Sequence, residues 1–379
     1  MQSGNDPGQT ARLQTIQALR GIAVLFVVIS HVFHELSLML TGRVERFNEK
    51  LFPGDFGVDL FFVISGFIMV YTCWDAFGRK GAPARFMLRR LIRIVPLYWA
   101  ATTLMILVVI VLPASVKTAT NDTGQWIASY LFWPYQRASD GLIRPVLGLG
   151  WSLQYEMLFY TLFALCLFLP RRVALPVLIA AIGLLLAVCA FWSRHGGEGA
   201  FVLFASHPVI LEFVYGVIIA IFYFRGARFA PAVGIALFLA ALLILVQMPS
   251  FNDHIEAGRE FYYGIPAAMM LVAAVLSQGA DEYRVRRPLL IAGEISYSTY
   301  LVHPFVVGAA ALVFRRLELA EMLDPVSLML NFSLLVVLVS LGASYLVHYG
   351  FDLPVTGWLR RRTRPAGRDA AAGSERSSL

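Results

Sequence analysis

Cysteine, charge and long polar segments are all scarce in this sequence. Its 379 residues include only three cysteines, Cys73, Cys166 and Cys189, and each lies inside an apolar stretch without the spacing of metal ligands. Such cysteines are typical of small buried side chains rather than of a disulfide framework, and no metal site is predicted. No polar segment exceeds roughly 40 residues, which is below the usual size of a soluble domain.

Apolar residues dominate the chain. They make up 58% of it against 15% charged residues, and the mean hydropathy is +0.69. Apolar stretches of about 20 residues, the length that crosses the hydrocarbon core of a bilayer, recur along most of the sequence. We predict an all-α integral membrane protein with about ten transmembrane helices, in which Gly57 and Gly66 allow helices to approach closely. The predicted spans are 18–40, 55–76, 91–113, 150–169, 173–193, 207–224, 230–248, 261–278, 289–314 and 326–348.

The basic residues predict the orientation. With both termini in the cytoplasm, 21 of the 31 Lys and Arg residues fall on the cytoplasmic side and 10 on the outer side. This distribution agrees with the positive-inside rule, so the net charge of +7 needs no nucleic-acid partner. We predict a cytoplasmic tail over 1–13, a membrane domain over 14–355 and a basic, disordered cytoplasmic tail over 356–379.

The first predicted helix carries two ionisable residues, Arg20 and His31, which are eleven residues apart. Because eleven residues is close to a whole number of helical turns, both side chains leave one face, about 16 Å apart along the axis. Ionisable residues inside a membrane segment are costly, and two on one stripe indicate a polar interior path. The pair places a cation near one membrane surface and an imidazole deep in the bilayer.

Three arginines lie near the start of the third predicted helix, in RFMLRRLIRIVPLYW. Arg89, Arg90 and Arg93 fall at the same predicted membrane level as Arg20. Such a cluster either anchors a cytoplasmic loop or binds phosphate, because guanidinium groups match phosphate oxygens in bidentate fashion. We expect Arg89 and Arg93, which are one helical turn apart, to share a face.

Ionisable residues on four other helices are predicted at the depth of His31. Such groups become tolerable in a membrane if they converge on one cavity. A helix-capping or interfacial role stays open for Asp59 and Glu212. Glu35, one turn beyond His31, either orients the imidazole or reaches the outer interface. The groups expected to converge are His31, Asp59, Glu156, Glu212 and His303.

This layered pattern is compatible with acyl transfer across the membrane. A phosphorylated acyl carrier such as acyl-CoA would bind the inner arginines and bring its thioester to His31. Neutral imidazole, oriented by a carboxylate on its second nitrogen, would take the proton of an acceptor hydroxyl as that hydroxyl attacks. Tyr300, Tyr160 or the backbone at Ser65 and Gly66 would stabilise the oxyanion. A transporter or flippase, which also places ionisable groups at mid-depth, is the alternative.

At these residues the chain resembles the membrane acyltransferase family 3. The resemblance covers about residues 14–355, and its motifs occur in the same order. They are the Arg20–His31 pair, FGVDLFFVISGF, RRLIR at 89–93, GWSLQYEMLFY at 150–160 and SYSTYLVHP at 296–304. Near the C-terminus the family often has Glu two residues before a Pro, where this chain has Asp352, and no function is assigned to that residue.

The resemblance implies an O-acyltransferase of the bacterial inner membrane. Its donor would be cytoplasmic acetyl-CoA and its acceptor a hydroxyl of an extracellular or lipid-linked polysaccharide, with no bound cofactor. Succinyl or another short acyl group is an alternative to acetyl, and an acyl-His31 intermediate is an alternative to His31 as a base.

The charge pattern and the family resemblance together give three groups of candidate site residues. The catalytic candidates are His31, Glu156 and Asp59, the acyl-CoA-binding candidates are Arg20, Arg89, Arg90 and Arg93, and the substrate or oxyanion candidates are Ser65, Tyr300 and His303.

Overall fold

Helices account for nearly all of the described chain. The computed structural model describes residues 7–40, 53–112, 122–138, 140–247, 258–278 and 285–363. The α-helices within these ranges are α1 (Pro7–Leu40), α2 (Phe56–Cys73), α3 (Ala82–Val111), α4 (Thr123–Tyr130), α5 (Gly150–Cys166), α6 (Arg171–Arg194), α7 (Ala200–Ala205), α8 (Leu211–Phe224), α9 (Pro231–Gln247), α10 (Arg259–Tyr262), α11 (Gly264–Leu276), α12 (Arg287–Glu294), α13 (Ser296–Arg316), α14 (Leu319–Met322), α15 (Pro325–Val347) and α16 (Leu353–Arg362). A 3₁₀ turn over Pro208–Ile210 precedes α8, and a π-helical turn over His348–Asp352 joins α15 to α16.

Seven helical segments of the described chain are long and apolar enough to cross a membrane. They are Gln14–Leu40, Phe56–Cys73, Ala82–Val111, Arg171–Arg194, Arg259–Leu276, Ser296–Arg316 and Pro325–Arg362. Two further apolar helices, Pro208–Phe224 and Pro231–Gln247, are shorter. The chain is therefore an all-helical, multi-pass membrane protein, as predicted, while a total of ten spans and the cytoplasmic termini stay predictions. All three cysteines are free and buried.

Helical structure reaches beyond both predicted boundaries of the membrane domain. α1 begins at Pro7, inside the predicted N-terminal tail, and α16 continues to Arg362, inside the predicted C-terminal tail. The arginines in the last turn of α16 interact favourably with the carbonyl end of the helix. Residues 364–379 lie outside the described chain.

α2 is the central helix and is buried on nearly every side, against α1, α8 and α11. Two of its glycines permit this packing. A Cβ atom at Gly57 would lie 2.2 Å from the carbonyl oxygen of Ala23 in α1, and one at Gly66 would lie 2.0 Å from that of Phe213 in α8. These distances confirm the prediction that both glycines allow close helix approach.

Replacing Gly66 by Ala should strongly destabilise the protein, because the new methyl group would force α2 away from α8. Overpacking of this kind costs typically about 1–3 kcal/mol, and more where backbone must move. Gly183→Ala in α6 is the matched control, since a Cβ atom there meets nothing within 4 Å. Thermal unfolding of the two variants in detergent tests this, and equal melting temperatures would contradict the packing argument.

Candidate active site

A cavity of about 370 Å³ lies where α1, α2, α3, α5 and α13 meet. Its wall contains Arg20, Arg90 and Arg93, which are three of the four predicted donor-binding arginines. Glu156 is the carboxylate among its lining residues, so three guanidinium groups and one carboxylate give the lining a charge of +2, which the buried Asp352 behind Arg93 lowers to +1. The rest of the wall is largely apolar, and such a cavity favours an anionic ligand that also has an apolar portion.

Two helices supply the arginines of this cavity. Arg90 and Arg93 lie three residues apart on α3 and therefore on one face of it. Arg20 comes from α1, and its Nη2 atom donates a hydrogen bond to Ser296 Oγ at 3.0 Å, at the start of α13. Arg89, one turn before Arg93 on α3, is exposed and is not among the lining residues, so its predicted part in donor binding stays a prediction.

Glu156 is held in the cavity by two hydroxyl groups. Its Oε1 atom accepts a hydrogen bond from Tyr160 at 2.9 Å and one from Ser65 at 3.2 Å. The Arg90 guanidinium carbon lies 5.8 Å from the centre of the Tyr160 ring. Glu156, Ser65 and Tyr300 thus share one cavity with the three arginines.

His31 packs against a second histidine, His303 of α13, with their ring centres 5.0 Å apart and their planes at 74°. The Nδ1 atom of His31 lies 2.9 Å from the Val27 carbonyl oxygen, and that of His303 lies 2.8 Å from the Thr299 carbonyl oxygen. Because a carbonyl oxygen only accepts, Nδ1 carries the hydrogen in both rings, and each neutral ring has an acceptor at Nε2.

The histidine pair lies next to the cavity but not in its wall. Tyr300 lines the cavity, its ring centre is 6.2 Å from that of His303, and His31 follows at 5.0 Å. His303 is fully buried, and its Nε2 atom has no hydrogen-bond partner within the described ranges. The three rings therefore form a row of neighbouring side chains between the cavity and His31, in which only Tyr300 belongs to the cavity wall.

A backbone carbonyl, rather than a carboxylate, orients the His31 ring. Two roles were predicted for Glu35: to orient the imidazole or to reach the outer interface. The structure instead shows Glu35 in an ion pair with Arg315 at 2.8 Å. Both side chains of this pair are partly solvent-exposed. The Val27 carbonyl is four residues before His31 on α1, so the tautomer of His31 is set within its own helix.

Asp59 lies in a different cluster, paired with the buried Arg259 of α10. The Arg259 Nη2 and Nε atoms donate to the two carboxylate oxygens of Asp59 at 2.6 and 3.0 Å. Glu212 of α8 lies beside Asp59 and is equally buried. The predicted convergence of five ionisable groups on one cavity is therefore wrong: Glu156 lines it, whereas His31 with His303, and Asp59 with Glu212, form separate groups.

The buried Asp59–Arg259 ion pair should contribute to the stability of the fold. Asp59→Leu and Arg259→Met should each lower the melting temperature sharply, because removing one partner of a buried pair costs typically about 3–5 kcal/mol. The double variant removes both charges of the pair and should recover part of this loss but not all of it, because the buried Glu212 carboxylate beside them then lacks its cationic neighbour Arg259. Thermal unfolding of all three proteins in detergent tests the prediction, and a double variant less stable than both single variants would contradict it.

Sequence reasoning missed two contacts of the site. Asp352, to which no function was assigned, forms an ion pair with Arg93 at 2.8 Å, and His348 contacts the same carboxylate at 3.1 Å. The sequence indicates that Asp352 needs a partner, because a carboxylate in an apolar C-terminal helix is costly unless it is paired. Nothing in the sequence identifies that partner.

Fold and site together define a multi-pass membrane protein with a cationic cavity beside a pair of histidines, the partly buried His31 and the fully buried His303. The model of the family described as "Acyltransferase domain" matches residues 13–349 of this chain, and the protein belongs to that family. It is accordingly a membrane O-acyltransferase, and the transporter alternative receives no support from the comparisons.

Several characterised proteins are similar to this chain. The exopolysaccharide production protein ExoZ of Rhizobium meliloti is 38% identical over 72% of this chain and 83% of its own length. The acyltransferase MdmB of Streptomyces mycarofaciens is 26% identical over 79% of this chain and 80% of its own. The O-acetyltransferase OatA of Staphylococcus aureus is 26% identical over 78% of this chain and 51% of its own. No solved structure matches the chain.

Proposed function

We propose that this protein transfers an acetyl group from cytoplasmic acetyl-CoA to a hydroxyl of an extracellular or lipid-linked polysaccharide. It would act in the bacterial inner membrane, with both termini in the cytoplasm and without a resident cofactor. The observation that carries the proposal is the cavity of Arg20, Arg90, Arg93 and Glu156, joined to His31 by two aromatic rings. The names of ExoZ, an exopolysaccharide production protein, and OatA, an O-acetyltransferase, support the choice of acceptor and acyl group.

The arginines bind the phosphate groups of the donor. Guanidinium groups form bidentate hydrogen bonds to phosphate oxygens, and inside a largely apolar wall these bonds are stronger than in water. The excess of Lys and Arg on the predicted cytoplasmic side supports an orientation in which this cavity faces the cytoplasm, where acyl-CoA is made. Arg89, outside the cavity wall, contributes less than the other three.

His31 acts as the general base. Its Nε2 atom takes the proton of the acceptor hydroxyl while the hydroxyl oxygen bonds to the thioester carbon. The carbon–sulfur bond then breaks, and the leaving coenzyme A thiolate takes up the proton held by His31, which restores the neutral imidazole. If His31 instead carries the acyl group, the same Nε2 atom attacks the thioester and expels the coenzyme A thiolate; the acceptor hydroxyl then attacks the acyl-imidazole, its proton neutralises the thiolate, and Nε2 is released.

The other candidate residues support this chemistry in different ways. Neutral His303 presents an acceptor at Nε2, so we assign it to stabilising the His31 imidazolium rather than to donating to an oxyanion. Ser65 and Tyr300 line the cavity and are the oxyanion candidates. In this structure their hydroxyl groups donate to Glu156 and to the Leu149 carbonyl oxygen, so each would have to turn its hydrogen toward the oxyanion. Glu156 orients Ser65 and Tyr160, and Asp59 acts through its ion pair with Arg259, holding α2 and α10 in place.

A reconstituted assay tests the proposal. Purified protein in proteoliposomes should consume radiolabelled acetyl-CoA and place label on added polysaccharide, with succinyl-CoA as the competing donor. Mass spectrometry of the native polysaccharide from a strain lacking the gene should show the loss of a defined ester. Label transport without ester formation, or an unchanged polysaccharide, would contradict the proposal. Trapping an acylated His31 peptide would favour the acyl-carrier mechanism over the general base.

A further inference from the structure

One carboxylate, that of Asp352, connects the C-terminal helices to Arg93 in the wall of the donor cavity. Asp352, at the end of the π-helical turn, is 1% exposed, and its Oδ2 atom accepts a hydrogen bond from Arg93 Nη1 at 2.8 Å. Arg93 is 26% exposed and lines the cavity. The pair therefore lies with its carboxylate in the protein interior and its guanidinium at the cavity wall.

Arg93 is restrained from a second side by Tyr297 of α13. The guanidinium carbon lies 4.9 Å from the centre of the Tyr297 ring, and the Tyr297 hydroxyl donates to the Ile94 carbonyl oxygen at 2.6 Å. The ring is thus fixed by the backbone of the helix that carries Arg93. Held between a ring face and a carboxylate, Arg93 has its guanidinium oriented while its remaining N–H groups stay available to a ligand.

His348 supports the carboxylate from behind. Its Nδ1 atom lies 3.1 Å from the same Asp352 oxygen, and its Nε2 atom faces Glu294 Oε1 of α12 at 3.9 Å. Ser298 of α13 is 3.5 Å from Nδ1. His348 is itself buried, at 4% exposure. The π-helical turn, a local widening often found at functional sites, brings His348 and Asp352 together.

We propose that Asp352, supported by His348, is a positioning residue that pre-orients Arg93 for the phosphate of the acyl donor. This inference rests on the proposed function, because it assumes that the cavity binds the donor. An unrestrained arginine loses rotamer freedom when it binds a ligand, and this loss weakens binding. Anchoring Arg93 to Asp352 before the donor arrives removes that loss, so the carboxylate strengthens binding although it carries the same charge sign as the phosphate.

The test is a double-mutant cycle on the purified full-length protein. Asp352→Asn should raise the dissociation constant of coenzyme A and the KM for acetyl-CoA about 3- to 10-fold, with kcat changed less than about twofold. In an Arg93→Ala background the same change should add almost nothing, because the residue it positions is gone. Asp352→Glu, which keeps the charge, should recover part of the affinity.

Different outcomes separate this inference from the proposed function. If Arg93→Ala leaves coenzyme A binding unchanged, the donor site itself is wrong. If Arg93→Ala weakens binding but Asp352→Asn does not, or strengthens it, the positioning role alone is overturned. Full additivity of the two changes would also overturn it. Should Asp352→Asn fail to fold, His348→Gln provides the second variant: a raised dissociation constant supports the inference, and an unchanged one refutes it.

Discussion

Replacing His31 by Ala should abolish acyl transfer while the protein still folds and inserts. In the mechanism proposed above, the His31 Nε2 atom takes the hydroxyl proton, and the His303 ring lies 5.0 Å from the His31 ring. General-base catalysis contributes typically about 100- to 10,000-fold, so kcat should fall by at least about 100-fold. The measurement is ester formation by purified protein at saturating acetyl-CoA.

His195→Ala is the matched control for this variant. His195 makes the same local contact as His31, from Nδ1 to the carbonyl oxygen four residues before it, here Phe191 at 2.7 Å, but it is exposed at the end of α6. Its replacement removes an imidazole and a helix contact without touching the site, and activity should stay near that of the unchanged protein. Activity of His31→Ala above about a tenth of normal would reject both the base and the acyl-carrier role.

Arg93→Ala and Arg90→Ala should weaken donor binding rather than slow the chemical step. A charge-assisted hydrogen bond is worth typically about 1.5–3 kcal/mol, so each change should raise the KM for acetyl-CoA about 10- to 150-fold. Lysine should restore only part of the affinity, because an ammonium group cannot form the bidentate contact of a guanidinium. Initial rates over a range of acetyl-CoA concentrations separate KM from kcat.

Arg85→Ala is the matched control on the same helix. Arg85 is exposed, and its Nη2 atom donates to the Lys80 carbonyl oxygen at 3.1 Å, outside the cavity. Its loss should leave KM unchanged, whereas Arg89→Ala should have an intermediate or negligible effect. Equal effects of Arg85→Ala and Arg93→Ala would show a general loss of surface charge and contradict a specific donor site.

The elements of the fold were predictable because membrane helices carry a strong local signal. Every backbone group of a span must be satisfied inside its own helix, so long apolar stretches identify helices without knowledge of their neighbours. The close approach at Gly57 and Gly66 was predictable for the same reason, since small residues mark helix contacts in membranes. The helical extensions at Pro7 and Arg362 were missed, because polar helices at the ends of a membrane domain lack the apolar signal.

The site was only partly predictable. Helical spacing predicted that Arg20 and the arginines of α3 lie close together, and Arg20, Arg90 and Arg93 do line one cavity. Whether Arg89 or Arg90 faces that cavity depends on the rotation of α3 about its axis, and the neighbouring helices determine this rotation. Depth along the helices predicted one group of buried acids, whereas Glu156 contacts Ser65, six residues along α2 from Asp59. The pairing of Asp59 with Arg259 joins residues 200 positions apart in the chain, and no local pattern indicates it.

By itself the sequence determined the class of protein, the position of its helices and which residues are too polar to face lipid. These properties depend on composition and on spacing along one helix, and both are local. Only the tertiary structure decided which polar residues meet: Arg93 with Asp352, Asp59 with Arg259, and His31 with His303. Helix packing sets the rotation and neighbours of each helix, and in a membrane every buried charge must find its partner through that packing.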